Sequence, residues 1–356
     1  MNIASQDPIA ELRATAALPF GEARAMPKSV YTSETVLARE LERIFRREWI
    51  CVGRASSLKA PGDYLTYDLA GEPIMVVRLP DGRLRAQSNV CRHRMSTMLE
   101  GHGNAKRITC PYHGWTYNLD GSLRGAPHMA GNASFRRDAI CLPEIRCEDW
   151  LGWLMVTLDP AAEPAATRLA GLADEIAPYG MEAYHEDFRE TFVWNTNWKV
   201  LAENFMESYH LPVCHAGTIG GLSDIDASEL PAGARAYNLH TIMKDPSFTL
   251  SVAHPANTRL QGECRLKTAV IAIYPSLLVT LTPGYFWYLS LHPRGTGQVH
   301  VTFGGGLAPE FLADPEGPKH FAALKALLDH VNEEDKGCTE RVYRGLCASL
   351  SAPGPL

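Results

Sequence analysis

The chain has 356 residues, a formal net charge of −6, 46% hydrophobic residues and 21% charged residues. These proportions are typical of a folded globular protein and exclude a disordered, collagen-like or coiled-coil chain. The acidic balance without a basic stripe argues against nucleic-acid binding, and no apolar run reaches the roughly 18 residues needed to cross a membrane. At roughly 100–200 residues per domain, the length predicts two domains or one large one.

The start of the sequence and its cysteines both indicate a cytoplasmic protein. Residues 1–20 are predicted to form a loose arm, and their acidic Asp7 and Glu11 do not fit a signal peptide. The nine cysteines, an odd number in a long chain, favour reduced thiols over a disulfide framework. We therefore expect free cysteines, and Cys214 in particular has no assigned role.

The first predicted elements are an amphipathic helix and a series of short strands. Residues 33–47 are predicted as the helix, with Ser33 as its N-cap. Short β-rich runs follow, separated by turn residues such as Asp81-Gly82, a dipeptide typical of hairpins. We expect residues 1–44 to be an arm and helix that pack on the C-terminal domain, and residues 45–160 to be an antiparallel β domain.

The second half of the chain is predicted to be a mixed domain over residues 161–356. Residues 199–210 are predicted to be helical, whereas residues 216–262 are rich in small residues and proline and show little periodicity. Because loop-rich stretches of that length are usually functional, this one is our candidate for a substrate lid. Strand-like runs between residues 266 and 308 and a long helix over 317–350 complete the domain.

The first motif that carries chemistry pairs two cysteines with two histidines. Cys91-x-His93 and Cys110-x-x-His113 each place one sulfur and one imidazole on a loop of the predicted β domain. Tetrahedral zinc takes such a set, and so does a Rieske [2Fe–2S] cluster, in which two histidines ligate one iron and two cysteines the other. The β-rich flanks favour the iron–sulfur cluster, with zinc as the alternative.

The second motif is a pair of histidines that suits a single iron ion. His210 and His215 converge only if the helix ends or distorts between them, and Pro212 lies there. Two histidines and one carboxylate are the signature of non-haem Fe(II) sites that react with O2. We predict Asp335 as the third ligand, with Glu334 as its nearest competitor.

Two further residues lie beside this motif on the same predicted helix. Glu207 is three residues before His210 on one helix face, so it is either a ligand itself or a carboxylate that orients an imidazole. Asn204 is placed near the iron by its helix position.

These motifs together resemble a known family of oxygenases. Cys91-Arg-His93-Arg, Cys110-Pro-Tyr-His113-Gly-Trp and the stretch 197–215 resemble the α (catalytic) subunit of Rieske non-haem iron oxygenases, over roughly residues 30–350. The resemblance at Asp335 depends on its spacing from Glu340 alone. It implies an α+β fold, with an all-β Rieske domain followed by a helix-grip catalytic domain, a curved antiparallel sheet around a long helix.

The resemblance also implies cofactors and partners. A [2Fe–2S] cluster and a mononuclear Fe(II) would react with O2 as co-substrate, and NAD(P)H would act only through a separate reductase, with or without a ferredoxin. Glu207 matches the acidic bridge between His210 and His113 of a neighbouring subunit, which implies a homo-oligomer, usually a trimer. No partner nucleic acid or membrane is expected, and the presence of a β subunit is left open.

The substrate is the least determined part of the sequence. Glu at position 207 is similar to family members that act on quaternary amines, so we expect hydroxylation or N-demethylation of a small quaternary amine or betaine. Hydroxylation or dioxygenation of an aromatic compound or acid is the alternative, and a non-enzymatic Rieske electron carrier is a distant one. The candidate pocket residues are Leu201, Phe205, Met206, Tyr285 and Trp287, of which Tyr285 and Trp287 share one face of a predicted strand.

Overall fold

The structure is a computed structural model that describes residues 7–129, 131–220, 228–229, 231, 233–247 and 249–356. It divides into two compact units. One unit is Glu42–Ala170, and the other joins the residues up to Leu41 with Gly171–Leu356. Within the described residues, no helix is long and apolar enough to cross a membrane.

The α-helices and strands of the described residues are numbered in chain order. The helices are α1 (Pro8–Ala16), α2 (Lys28–Thr32), α3 (Glu34–Glu40), α4 (Ala165–Arg168), α5 (Ala170–Ile176), α6 (Trp198–Met206), α7 (Leu211–Cys214), α8 (Pro309–Ala313) and α9 (Gly317–Leu346). The first ten strands are β1 (Ile50–Arg54), β2 (Asp63–Leu69), β3 (Glu72–Arg78), β4 (Leu84–Ser88), β5 (His102–Asn104), β6 (Ile108–Thr109), β7 (Thr116–Tyr117), β8 (Leu123–Gly125), β9 (Glu144–Trp150) and β10 (Trp153–Thr157). The remaining strands are β11 (His185–Trp194), β12 (Ser228–Glu229), β13 (Tyr237–Met243), β14 (Lys267–Ile273), β15 (Leu277–Leu281), β16 (Tyr285–Gly295) and β17 (Gln298–Leu307).

The unit Glu42–Ala170 is built from antiparallel strands. Its described residues form a seven-stranded sheet in the order β1-β10-β9-β4-β3-β2-β5 and a three-stranded sheet in the order β6-β7-β8. The predicted hairpin at Asp81-Gly82 joins β3 to β4, and Gly82 has a φ of +85°, a conformation that glycine adopts without strain. The small sheet and its flanking loops pack around buried Ile108, Tyr117 and Trp115.

The second unit wraps one antiparallel sheet around a long helix. The described strands are ordered β11-β17-β16-β15-β14-β13-β12 across the sheet, and along the chain β17 is followed by the short α8 and then by α9. Strand β15 and most of β14 and β16 are buried, as expected for their apolar sequences. This architecture confirms the predicted α+β class, with a β domain followed by a sheet-and-helix catalytic domain.

The helix predicted from Ser33 is present and ties the N-terminal segment to the second unit. The Ser33 hydroxyl caps α3 by accepting the N–H of Val36 at 3.4 Å. Glu40, at the end of α3, lies 2.7 Å from the ammonium of Lys199 on α6 and also accepts the indole N–H of Trp198 at 3.0 Å. Since Glu40 and Lys199 are both buried, this ion pair fixes the start of α6.

Three sequence-based expectations are wrong in this unit. Residues 1–20 were expected to be a loose arm, but Asp7 caps a helix that begins at Pro8. Part of the predicted lid, Tyr237–Met243, is strand β13 of the sheet because it pairs along its whole length with β14. The cysteines are not all free: Cys214 on α7 and Cys338 on α9 form a disulfide across 124 residues, a proximity that sequence spacing does not reveal.

Candidate metal centres

The two cluster-motif loops share one backbone design. In each loop the cysteine N–H donates to the carbonyl five residues later, and the cysteine carbonyl accepts the N–H from four residues later. The donor–acceptor pairs are Cys91–Ser96 (2.9 Å), Met95–Cys91 (3.1 Å), Cys110–Trp115 (2.8 Å) and Gly114–Cys110 (3.1 Å). Met95 and Gly114 occupy the same position in each loop and both have positive φ, 52° and 72°. The two loops therefore have the same backbone conformation, and each carries one sulfur and one imidazole.

The two sulfur atoms are buried and hydrogen-bonded. The Cys91 Sγ lies 3.3 Å from the hydroxyl oxygen of Tyr117. Burial raises the pKa of the Cys110 thiol, but hydrogen bonds from the backbone N–H groups of Tyr112 and His113 outweigh it and lower the pKa. Stabilisation of the Cys110 thiolate suits an iron ligand, since the metal binds the deprotonated sulfur, whereas burial raises the pKa of the Cys91 thiol.

The two imidazoles of this motif face each other. The rings of His93 and His113 have centroids 4.7 Å apart, and His93 stacks on Trp115 at 4.8 Å. The Nδ1 atom of His93 is buried and has no hydrogen-bond partner among the residues that the structure describes. A buried ring nitrogen without a partner is destabilising unless a ligand or metal completes it, so the set fits an iron–sulfur cluster.

A single tetrahedral ion fits this motif less well. Around one zinc ion, four bonds of roughly 2.0–2.3 Å would bring all ligand atoms within about 4 Å of one another. Among the described residues, the set of three or more His, Cys, Asp or Glu whose ligand atoms lie within 4.8 Å of one another is His210, His215 and Asp335. No three of the cluster-motif residues meet that criterion, which disfavours the zinc alternative.

The second motif does converge on one point. The Nε2 atoms of His210 and His215 lie 3.5 Å and 3.0 Å from the same oxygen of Asp335, Oδ1. His215 is almost completely buried, and His210 and Asp335 are largely so. Two imidazoles and one carboxylate that share a focus match the ligand set of a non-haem Fe(II) site.

Each imidazole is held on its far side by a second carboxylate. The Nδ1 atom of His210 lies 2.5 Å from Glu207 Oε1, and the Nδ1 atom of His215 lies 2.8 Å from Glu334 Oε2. Such contacts fix the ring orientation and leave Nε2 to bind the metal. Asp335 is therefore the carboxylate at the focus, and Glu334 lies on the far side of the His215 ring.

The chain reaches this geometry through a break that lies earlier than expected. Helix α6 ends at Met206, before His210, whereas the sequence predicted helix through residue 210 with the break at Pro212. The physical reason is that Glu207 turns its carboxylate onto the backbone N–H groups of Tyr209 and His210 and so starts a new turn. Pro212 lies in the first turn of α7, where a proline is well tolerated.

The electrostatics of the site favour a cation at its focus. Burial acts to lower the pKa of His210, but hydrogen bonds to Asp335 and Glu207 outweigh burial and raise the pKa to about 9. Burial likewise acts to raise the pKa of Asp335, and hydrogen bonds from the two imidazoles lower it. A divalent metal would take the place of the shared proton between these groups.

Asn204 also contacts the site, as its helix position suggested. Its side-chain amide donates to Asp335 Oδ1 at 2.8 Å. The contact holds the carboxylate from the α6 side. Sequence reasoning gave no role to Thr218, whose hydroxyl donates to Glu334 Oε2 at 2.6 Å.

A cavity of about 200 Å³ opens beside His210, His215 and Asp335. Phe205, Tyr285 and Trp287 line it, together with apolar side chains of α9. Because side chains alternate along a strand, the intervening Phe286 and Tyr288 point to the other face of the sheet and are fully buried.

Two of the predicted pocket residues do not line this cavity. Leu201 lies one helical turn, about 6 Å, before Phe205 and is buried in the core. Met206 is the last residue of α6 and is rotated by about 100° from Phe205. Residues 221–227, 230, 232 and 248 of the predicted lid lie outside the described residues. Ile219, which belongs to the same stretch, lines the cavity.

Comparisons with known proteins agree with this organisation. The Rieske [2Fe-2S] domain family matches residues 48–136, and the family of ring hydroxylating alpha subunits (catalytic domain) matches residues 181–356. Both metal-binding motifs lie inside these matches. The chain therefore belongs to the Rieske non-haem iron oxygenases, as a catalytic α subunit.

Several relatives are named after quaternary ammonium compounds. The carnitine monooxygenase oxygenase subunit of Acinetobacter baumannii is 39% identical over 194 residues, which are 54% of this chain and 52% of that protein. The chloroplastic choline monooxygenase of Beta vulgaris is 27% identical over 337 residues, 92% of this chain and 72% of that protein. The match thus spans about half the length of the carnitine relative.

A solved structure resembles nearly the whole chain. The quaternary ammonium Rieske monooxygenase CntA has a TM-score of 0.81 and 26% sequence identity, with 95% of this chain and 91% of that chain covered.

Proposed function

We propose that this chain is a terminal oxygenase that hydroxylates or oxidatively N-demethylates a small quaternary ammonium compound. The observation that carries the proposal is the cavity that joins the His210, His215 and Asp335 focus to an aromatic wall. The quaternary ammonium names of the relatives support the same substrate class.

The aromatic wall suits a cation that has no N–H to donate. Phe205 and Trp287 meet edge to face with ring centroids 5.4 Å apart, and Tyr285 is buried beside them. Faces of aromatic rings attract quaternary ammonium groups, most strongly where water is excluded. The small volume favours a compact substrate, and in such a cavity its methyl groups would lie near the focus of the three ligands.

His210, His215 and Asp335 would hold an iron ion, and Cys91, His93, Cys110 and His113 would hold a [2Fe–2S] cluster. When bound, these two groups would supply the O2 chemistry and the electrons for it. The chain's own task is positioning. Glu207 and Glu334 fix the two imidazoles through Nδ1, and Asn204 holds Asp335. The apolar side chains of α9 limit the water that reaches the substrate.

Glu207 is also our proposed electron bridge between copies of the chain. Its carboxylate contacts His210, yet 44% of its side chain is exposed. Tyr209 and Val213 beside it are exposed as well, and so is His113 in the other unit. Docking of His113 from a neighbouring copy at Glu207 would make electron transfer an intersubunit step and requires a homo-oligomer, which we propose to be a trimer. A separate reductase, with or without a ferredoxin, would deliver the electrons.

The test is turnover of the holoenzyme with a reconstituted reductase. O2 uptake and product formation are measured with quaternary amines and with aromatic acids, and ¹⁸O2 labelling identifies the inserted oxygen. We expect coupled oxidation of quaternary amines only. Coupled hydroxylation of the aromatic acids, with only uncoupled O2 uptake from the amines, would support aromatic hydroxylation instead.

A further inference from the structure

The sheet side of the cavity carries three polar side chains that have no partner among the described residues. His240 and Thr268 are 3% and 2% exposed, and their Nδ1 and Oγ1 atoms accept or donate no hydrogen bond within the described part of the chain. Lys244 also lines the cavity and is half-buried, and burial lowers its pKa. Among the residues that the structure describes, none pairs with its ammonium group. We call Lys244, Thr268 and His240 the polar triplet.

Strand register places the polar triplet on one wall. His240, Ile242 and Lys244 alternate along β13 and its continuation, so their side chains share a face. Ile242 lies directly opposite Thr268 on β14. Lys244 continues the pairing, since its N–H donates to the carbonyl of Leu266 at 2.9 Å. The triplet therefore surrounds Ile242 on the cavity face of the sheet.

The charges of the cavity are divided between its two walls. The acidic groups that line it, Glu207 and Asp335, lie on the helix side and are engaged by His210 and His215. The cation Lys244 lies on the sheet side without an anion among the described residues. Buried polar groups without partners are destabilising, so this wall is suited to a ligand that supplies acceptor oxygens.

We propose that the polar triplet binds the carboxylate of a zwitterionic substrate whose quaternary ammonium group faces the aromatic wall of Phe205, Tyr285 and Trp287. The inference deepens the proposed function, on which it rests for the ammonium end of the substrate. A carboxylate offers four lone-pair positions, enough to accept from an ammonium, a hydroxyl and an imidazole N–H together. It would also pair Lys244 with an opposite charge inside an apolar cavity.

The proposal makes the triplet a determinant of specificity. An ammonium alcohol would occupy the aromatic wall but leave Lys244 without an anion. Sites built to bind a charged group discriminate strongly against analogues that lack it, because their own polar groups then remain unpaired. This chain is therefore expected to prefer ammonium carboxylates over ammonium alcohols of the same size.

Four ligands of nearly equal shape allow the contribution of each end of the substrate to binding to be measured independently. Glycine betaine and choline both carry the trimethylammonium group but differ in carboxylate against alcohol. Their carbon isosteres, 3,3-dimethylbutanoate and 3,3-dimethylbutan-1-ol, carry the same contrast without the positive charge. Binding to the resting holoenzyme is measured by calorimetry under anaerobic conditions, so that no turnover is needed.

The variant is Lys244→Met, and the matched control is Lys267→Met. Lys267 lies on the adjacent strand, but it pairs with Glu229 at 3.3 Å and does not line the cavity. We expect Lys244→Met to weaken the binding of both carboxylates by about 10- to 100-fold and the binding of both alcohols by less than about threefold. The control should bind all four ligands like the wild type.

Several outcomes would overturn the inference. The first is that Lys244→Met lowers the affinity for carboxylates and alcohols equally, and the second is that it changes neither affinity. The third is that the wild type binds neither carboxylate. If both carboxylates bind equally well and both depend on Lys244, the triplet stands and the quaternary ammonium proposal fails. Should Lys244→Met not fold, Thr268→Val removes one donor at constant shape and is expected to weaken the carboxylates alone by about fivefold or more.

Discussion

Glu334 and Asp335, neighbours on α9, contact opposite nitrogens of the same imidazole. Glu334 Oε2 lies 2.8 Å from Nδ1 of His215, and Asp335 Oδ1 lies 3.0 Å from its Nε2. Successive side chains on a helix diverge by about 100°, which is enough to reach both edges of a five-membered ring. The pair thus divides into a carboxylate that faces the metal focus and one that orients its ligand.

Asp335→Ala should remove the mononuclear iron and leave the cluster in place. Loss of the shared carboxylate leaves only two imidazoles at the focus, too few for stable Fe(II) binding. We expect iron content to fall from about three to about two atoms per chain, with an unchanged cluster spectrum and no product formation. Glu333→Ala, an exposed position on the same helix, is the control. Full activity of the Asp335 variant would rule this residue out as a ligand.

Glu334→Gln should weaken iron binding without abolishing it. The amide holds His215 less firmly and does not raise the basicity of its ring, and loss of such supporting contacts typically lowers metal affinity by about 10- to 100-fold. Competition with a ferrous chelator measures the effect, with Glu333→Gln as the control. A larger loss, equal to that of Asp335→Ala, would show that Glu334 ligates the iron directly.

Glu207→Gln tests the proposed electron bridge. The variant keeps a side chain of the same shape, so the cluster should be retained. Rates are compared at equal content of mononuclear iron, because weaker support of His210 is expected to lower iron affinity as it does in Glu334→Gln. We expect oxidation of the reduced cluster by O2 in the presence of substrate to slow by about tenfold or more, because the amide cannot carry the charge that couples two imidazoles. Single-turnover kinetics, followed by the cluster absorbance, give the rate. A rate within twofold of the wild type contradicts the bridge.

The Cys214–Cys338 disulfide should stabilise the iron site. It joins α7, which ends next to His215, to α9 three residues after Asp335. Peptide mapping without reductant should recover the linked peptides from the wild type and not from Cys338→Ser. The variant is expected to lose about 2–4 kcal/mol of unfolding free energy and to release iron faster, whereas Cys264→Ser should behave like the wild type. Recovery of only free Cys214 from the wild type would refute the link.

The buried ion pair between Glu40 and Lys199 should contribute strongly to stability. Glu40→Ala leaves the Lys199 ammonium buried without its anion, and removal of one partner of such a pair usually costs about 3–5 kcal/mol. Thermal and denaturant unfolding measure the change. Glu42→Ala, which breaks an exposed pair with Arg46, should change stability by less than about 1 kcal/mol. Equal effects of the two variants would contradict the assignment.

Contiguous motifs explain why much of the site was predictable. The four residues of the cluster motif and the two histidines of the second motif lie within short windows, where spacing alone limits the possible metals. The start of α1 was missed, although Asp7-Pro8 is a cap residue followed by a proline at the first helical position. The α+β class followed from strand periodicity and turn residues.

Long-range relationships explain what the sequence missed. The sequence predicted Asp335 as the third ligand, but the contact of Glu334 with His215 depends on how α7 lies against α9, which no local pattern records. Strand β13 contains polar His240 and Asn238 and shows little alternation, so only its pairing with β14 defines it. Lys244 lies on the cavity face because β13 pairs in register with β14, a relationship that its local sequence does not reveal.

The distance along the chain between His215 and Asp335 has a consequence for biosynthesis. The ribosome must add 120 residues between them (335 − 215), which takes about 6–24 s at roughly 5–20 residues per second. During that interval the nascent polypeptide displays two histidines without their carboxylate. Ferrous ion can be captured firmly only after α9 has emerged, so metallation of this centre must follow translation of nearly all of these 356 residues.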